Sequence, residues 1–295
     1  MIPNNNLSVL PWYTSIEQQN ARKWWVYGRV YPLFTQAGFV LPFQLMIPHV
    51  DGGSVTSVAL FNVADGTSSD VTSNMTESGI QYIEFDEYDV ILYPGNFPAF
   101  TGQMNGRYYL EIVANGITYY SEIYTVVNDI EPYLKIEWWD VNDFVMDAGR
   151  IVYKYANGTQ FRNVLYLMAE IAKPEYIFEE EGETRDGYFF PIKQISEKRY
   201  RFAFLASEYL LDVMRFIRMA DFAQITKNGQ TYSLDTFLIT PDWEDNGDVA
   251  SVEAEFDTAT VAKKIGRGSW QQVGQVGPNG DFNNDFNNDF NNQTS

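Results

Sequence analysis

The chain has no cysteine and one histidine among its 295 residues. Without cysteine there is no disulfide framework, no thiolate metal site and no cysteine nucleophile. With one histidine, a Ser-His-Asp triad, a histidine-rich metal site and most general-base designs would all have to pass through His49. That residue lies in LPFQLMIPHVDGG, between an apolar run and a glycine turn, and reads as an ordinary strand-end side chain. A catalytic role needs an oriented partner, which a sequence does not display. Basic charge is also scarce: 20 lysines and arginines stand against 39 aspartates and glutamates, a net charge of -19. No part of the chain is basic, so the phosphate-neutralising surface that nucleic acid requires is missing. DNA and anionic membrane are not expected partners. No run approaches the ~20 apolar residues of a membrane helix, so membrane insertion is not expected. The start, MIPNNNLSVLPWYTSIEQQNARKWW, lacks the basic-then-apolar order of a secretory signal, and assembly in the cytoplasm is the expectation.

What the chain does have is apolar material in short pieces. Hydrophobic residues make up 45% of it and aromatics 16%, enough for well-buried cores. Valine, isoleucine, threonine and tyrosine recur in short alternating runs, the pattern of half-buried strands, so the fold class is mainly β. Residues 1–24 read as an arm of prolines, asparagines and a polar patch. It ends at the Trp24, Trp25 pair, whose rings need something to pack on, such as another subunit. Residues 25–128 show strands separated by turn chemistry, with VTSVALFNV, QYIEFDEYDVILY and the hairpin RYYLEIVANGITYYSEIYTVV in order. Strands at that spacing predict an N-terminal immunoglobulin-like β-sandwich without the cysteine pair of antibody domains. After a linker at Asn128 to Pro132, residues 129–265 predict a second β-rich domain with one packed α-helix at about 207–221. Ser207 is its N-cap, Glu208 and Asp212 lie early, and Arg215 and Arg218 lie late. Leu210, Val213, Met214 and Ile217 form its apolar stripe, most simply core. Residues 266–295 repeat DFNN three times from Asp281 and read as a flexible low-complexity tail. Its Phe282, Phe286 and Phe290 are candidate contacts if the tail clips into a partner.

Two acidic stretches are candidate sites. Glu179, Glu180, Glu181, Glu183 and Asp186 fall within EEEGETRDG, bracketed by Tyr176 and Phe178 on one side and Tyr188 to Phe190 on the other. Two strands joined by a loop with Gly182 and Gly187 would put all these carboxylates at a solvated hairpin tip. A subunit contact through Glu180 and Glu181, a calcium site, and catalysis are the other readings, the last needing a buried carboxyl pair. The second stretch, DWEDNGDVASVE, nearly fits a calcium loop through Asp242, Glu244, Asn246, Asp248 and Glu253. Here it is flanked by strand-like sequence, and a tight hairpin turn is the main expectation. In that strand Glu253 would share a solvent face with Ser251 and Glu255, opposite Val252, Ala254 and Phe256. No phosphate loop, HExxH or GxSxG pattern occurs.

The run YRFAFLASEYLLDVMRFIRMADFAQITKNGQTY, followed by FLITPDWEDNGDVASVEAEF and TATVAKKIG, resembles a structural family of tail-tip and baseplate proteins from tailed phages and prophages of gut Bacteroidetes. The resemblance covers about residues 25 to 265. It implies a distal-tail-protein-like role without enzyme activity: a virion protein assembled in the host cytoplasm, forming a homo-oligomer and contacting other phage tail proteins. It carries over no catalytic residue and no cofactor, and the DFNN repeats depart from it. The alternative is a carbohydrate- or receptor-binding β-sandwich module reading a host surface glycan. Trp138, Trp139, Tyr119 and Tyr120 would be its stacking platforms, with only one of each adjacent pair serving a given face.

Overall fold

A computed structural model describes residues 8–21, 33–95, 105–141, 144–146, 150–153, 161–243, 249–258 and 262–265. The chain is mainly β, with few and short helices. In order, its elements are β1 (Trp12–Tyr13), α1 (Ile16–Ala21), β2 (Leu33–Gln36), β3 (Phe43–Pro48), β4 (Val55–Asn62), β5 (Ser68–Asp70) and α2 (Thr72–Glu77). They continue with β6 (Gln81–Glu84), β7 (Tyr88–Tyr93), β8 (Gly106–Ala114), β9 (Ile117–Ser121), β10 (Tyr124–Val127) and β11 (Leu134–Trp139). Then come β12 (Phe144–Met146), β13 (Arg150–Tyr153), β14 (Asn163–Leu167), β15 (Glu175–Arg185), β16 (Tyr188–Ser207) and α3 (Glu208–Met214). The last strands are β17 (Phe222–Lys227), β18 (Gln230–Asp242), β19 (Val249–Thr258) and β20 (Ala262–Ile265).

Two compact units result, one from Met1–Lys173 with Tyr200–Ala259, the other from Pro174–Arg199 with Thr260–Ser295. In the first unit a sheet runs β1-β9-β8-β10-β2, with β4 on the free side of β8 and β5 on β4. A three-stranded sheet β3-β7-β6 gives this region a β-sandwich-like character. Alternation along β3 explains the packing: Phe43, Leu45 and Ile47 enter the main core, while Met46 joins Val90, Leu92 and Phe161 in a smaller cluster on the opposite face. QYIEFDEYDVILY, one run in the sequence, is two strands, because the chain turns at Asp86 and Glu87 and pairs Glu84 with Asp89. The predicted second strand of the Asn115–Gly116 hairpin is likewise broken at Glu122 and Ile123. Its first part pairs with β8 and β1, and its second with β8 and, in parallel, β2.

The first unit's other large sheet is β14-β11-β17-β18-β19, continued by residues 200–207 of β16. Ile136, Trp138, Leu165, Ile225 and Phe256 are essentially inaccessible on its inner face. Against this face lies α3, capped as the sequence predicts: the Ser207 hydroxyl accepts from the Leu210 N–H at 3.3 Å. The helix is shorter than 207–221 suggests. It ends at Met214 and tightens into a 3-10 turn at Arg215–Met219. The near-threefold period of that turn aligns Val213 with Phe216 and Met214 with Ile217, so all four are buried.

The described part of the sequence read as an arm is built into the first unit. Ser8, Val9 and Leu10 are fully buried, Trp12 and Tyr13 add a strand to β9, and the Tyr209 hydroxyl donates to the carbonyls of Ser8 and Val9. The partner that the arm's apolar residues need is therefore, for residues 8–13, the chain's own core. Trp24, Trp25 and the whole tail with Phe282, Phe286 and Phe290 lie outside the described residues.

Candidate functional site

The acidic stretch is differently placed from the expected loop. β15 and β16 pair continuously from Glu175↔Arg199 to Arg185↔Tyr188, so the turn is Asp186–Gly187 alone. Both turn residues have positive φ, 51° and 81°, which is the demand of a two-residue primed turn and the reason an Asp-Gly pair sits there. Glu179, Glu180, Glu181 and Glu183 consequently run along a strand, with a bulge between Glu181 and Gly182. Only Asp186 is at the tip. Strand alternation separates the carboxylates between two faces, and all of them are exposed. No buried carboxyl pair forms from them. In the second unit β16 is flanked by β15 and β20, so β15 is an edge strand, and a run of charged glutamates is one way natural sheets keep an exposed edge from pairing indiscriminately.

Before the bulge, one hairpin face carries Tyr176, Phe178 and Glu180 on β15 against Lys198, Ser196 and Gln194 on β16. Gln194 Nε2 donates to Glu180 Oε1 at 2.6 Å, and the Lys198 ammonium lies 5.7 Å from the Tyr176 ring centre. Tyr176 and Phe178 are 58% and 70% exposed, and Ile192, the unpaired residue of the β16 bulge, is 50% exposed. Tyr188 and Phe189 near the tip are exposed too. No described side chain between 174 and 199 is buried. Among its described residues the hairpin therefore supplies no buried core.

The second acidic stretch is split. Asp242 ends β18 opposite Ser251, and Glu253 sits on β19 opposite Thr240. Glu244, Asn246 and Asp248 lie outside the described residues. As the alternation predicts, Glu253 and Glu255 face outward while Val252, Ala254 and Phe256 are fully buried. Arg201 reaches both acids, with Nε 2.8 Å from Glu255 and 3.9 Å from Glu253. Among the described residues no group of three metal-ligating side chains converges.

His49 has more partners than its sequence context suggests. Its Nδ1 is 2.8 Å from Asp89 Oδ1 and its Nε2 is 3.0 Å from Asp51. Asp89, inaccessible to solvent, also accepts from the Val50 N–H at 3.0 Å, the Tyr82 hydroxyl at 2.5 Å and Asn115 Nδ2 at 3.1 Å. Burial pushes the Asp89 carboxyl up, but the hydrogen bonds from Tyr82, His49, Val50 and Asn115 outweigh it and hold the group below its ordinary value. The hydrogen bonds to Asp89 and then Asp51 raise His49. Burial and the Asp89 bond push the Tyr82 phenol up to about 12. An Asp-oriented histidine resembles half of a triad, yet its outer nitrogen meets a carboxylate and no nucleophile. The network ties β3, β6, β7 and the β8–β9 turn together. The sequence does not show it because it joins separate elements, with His49 40 residues and Asn115 26 residues from Asp89; the one local signal was Asn115 in an Asn-Gly turn.

A second place that sequence reasoning missed lies on the outer face of the β14-β11-β17 sheet. Register puts Tyr166, Lys135 and Thr226 in one row and Val164, Glu137 and Gln224 in the next. Beyond them, Trp139 stacks on Phe222 at 5.6 Å, and the Arg162 guanidinium lies 4.2 Å from the Trp139 ring centre. Lys135 Nζ is 2.7 Å from Glu137 Oε1, and Gln224 Nε2 donates to Glu137 Oε2 at 2.7 Å. Burial, with the Glu137 charge adding to it, pushes the Tyr166 phenol up to about 12. Residues 35–42 wall this face to make a cleft of about 490 Å³ that Lys135, Glu137, Arg162 and Tyr166 line. Trp138 and Tyr119, by contrast, point into the core at 0% and 1% exposure.

Comparison with protein-family models and with curated proteins finds no match for this chain. Among the described residues no helix is long and apolar enough to cross a membrane.

Proposed function

We propose that the chain is a non-enzymatic structural component of a phage tail tip or baseplate, and that it assembles with copies of itself through the β15–β16 hairpin. The observation that carries this reading is the exposure of the hairpin's apolar side chains. β20 pairs with β16 at Lys193–Ser196, so the second unit holds only a small three-stranded sheet, and on it Tyr176, Phe178 and Ile192 are half or more exposed with no described side chain buried. Covering each would contribute roughly 1.5–3 kcal/mol. The same face is self-complementary in charge. Glu180 lies toward the tip and Lys198 toward the base, so a two-fold axis through the level of Phe178 and Ser196 sets each glutamate against the partner's lysine. The resemblance over residues 25 to 265 supplies the setting, a tail tip, and the neighbours, other tail proteins. A glycan-reading module is less well supported, since two of its four aromatic platforms are core residues and Trp139 is covered by Arg162 and Phe222.

The lack of native cysteine gives a direct test. Phe178→Cys sits beside the proposed axis and should oxidise to a covalent dimer at micromolar protein. Ala64→Cys, in an exposed loop of the first unit, should form no covalent dimer under the same oxidant. Equal cross-linking of the two variants would sink the hairpin contact.

A further inference from the structure

The cleft on the β14-β11 face has a charge count that selects its ligand. It holds Lys135, Glu137 and Arg162, formally one net positive charge. Lys135 is already committed to Glu137 at 2.7 Å. Arg162 makes no ion pair and no hydrogen bond among the described residues, although acids outnumber bases 39 to 20 in this chain. Its guanidinium carbon lies 4.2 Å from the Trp139 ring centre, and a guanidinium presents a planar donor fork that suits a carboxylate. A dianion such as phosphate would leave a charge uncompensated in the cleft, whereas a single carboxylate is matched. The other lining groups ask for hydroxyls. Glu137 keeps acceptor capacity beyond Lys135 and Gln224, the Tyr166 phenol stays protonated and can donate, and Thr35 and Gln36 stand on the facing wall. Pro42 and Val164 give an apolar flank of the kind that the carbon face of a sugar ring packs against. At about 490 Å³ the cleft is in the range of small-molecule sites.

We propose that this cleft binds a sugar acid, with Arg162 holding its carboxylate and Glu137 and Tyr166 reading its hydroxyls. The site is separate from the hairpin contact, and each can fail without the other. Titration calorimetry on the full chain, using glucuronic, galacturonic and N-acetylneuraminic acids, tests it. Glucose serves as the neutral control, and N-acetylglycine stands in for a peptide carboxylate. At least one sugar acid should bind, and glucose and N-acetylglycine should bind at least about tenfold more weakly. Arg162→Gln should lose about tenfold or more, and Arg162→Lys several-fold, because an ammonium cannot reproduce the bidentate fork. Circular dichroism and an unchanged solution mass should show both variants folded and assembled as before. Tyr166→Phe, which removes only a hydroxyl, should weaken the sugar acid with little effect on N-acetylglycine. Failure of all three sugar acids to bind overturns the proposal, as does equal binding of glucose, equal binding of N-acetylglycine, or Arg162→Gln binding like the parent.

Discussion

Three residues anchor the first unit through charge in ways that titration and substitution can read. His49 has its proton affinity raised by Asp89 and Asp51, so its contribution to stability is complete below its ordinary value near 6.5. That contribution is lost as pH rises through the higher folded-state value. Urea midpoints should therefore fall across this window in the parent and stay flatter in His49→Gln. Asp89 runs the other way: its contribution is present above the ordinary 3.8 and is lost as pH falls through its lowered folded value. Beside this network, a Cβ at Gly53 would run into the Tyr82 hydroxyl and Asn115 Oδ1, so Gly53→Ala should destabilise although its φ lies outside the left-handed region. Lys227 is the third anchor. Its side chain is 6% exposed, and Nζ donates to the carbonyls of Pro132 and Ala169 at 2.6 and 3.0 Å and to Glu170 at 2.7 Å. Lys227→Met leaves both carbonyls short of a donor and should cost about 2–4 kcal/mol in chemical unfolding. None of these partnerships was legible in the sequence. Lys227 lies 95 residues from Pro132 in an ordinary KNGQ turn, and alternation says which side a residue faces but not what meets it there.

At the scale of elements, the sequence was most readable where a local rule decides. Ser207 caps α3, and replacing it with alanine should cost about 1 kcal/mol. The outward Glu253 and Glu255 and the inward Val252, Ala254 and Phe256 follow from period two alone. In EEEGETRDG two local rules compete. Glycine at 182 suggested a loop, but Asp186–Gly187 is the better primed turn, and Gly182 pairs with Pro191 within the ladder, beside the bulge that Ile192 makes in β16. The carboxylates of EEEGE thereby move from a loop to the edge of a sheet, and their physical role changes with them. Glu179, Glu181 and Glu183 replaced together by threonine should leave the hairpin formed and turn β15 into an adhesive edge. The expected outcome is concentration-dependent light scattering and thioflavin binding, with the parent silent under the same conditions.

Over the whole molecule, two features oppose each other: a net charge of -19, which keeps copies apart, and the exposed aromatic side chains of the hairpin, which draw them together. The mainly β architecture was legible because short alternating runs and Asn-Gly or Asp-Gly turns specify hairpins one at a time. The assignment of residues 174–199 with 260–295 to a separate unit was not, since β16 is one unbroken strand of 20 residues and no composition shift marks the division. The proposed role turns on whether that second unit is a contact. Solution mass by light scattering after size exclusion measures this most directly, for the parent chain and for Phe178→Ser combined with Ile192→Ser. A parent at a discrete multiple of 33.9 kDa and a double variant at the monomer mass, with matching circular dichroism, is the expected result. A parent that stays monomeric at every concentration, or a variant that assembles as the parent does, would contradict it.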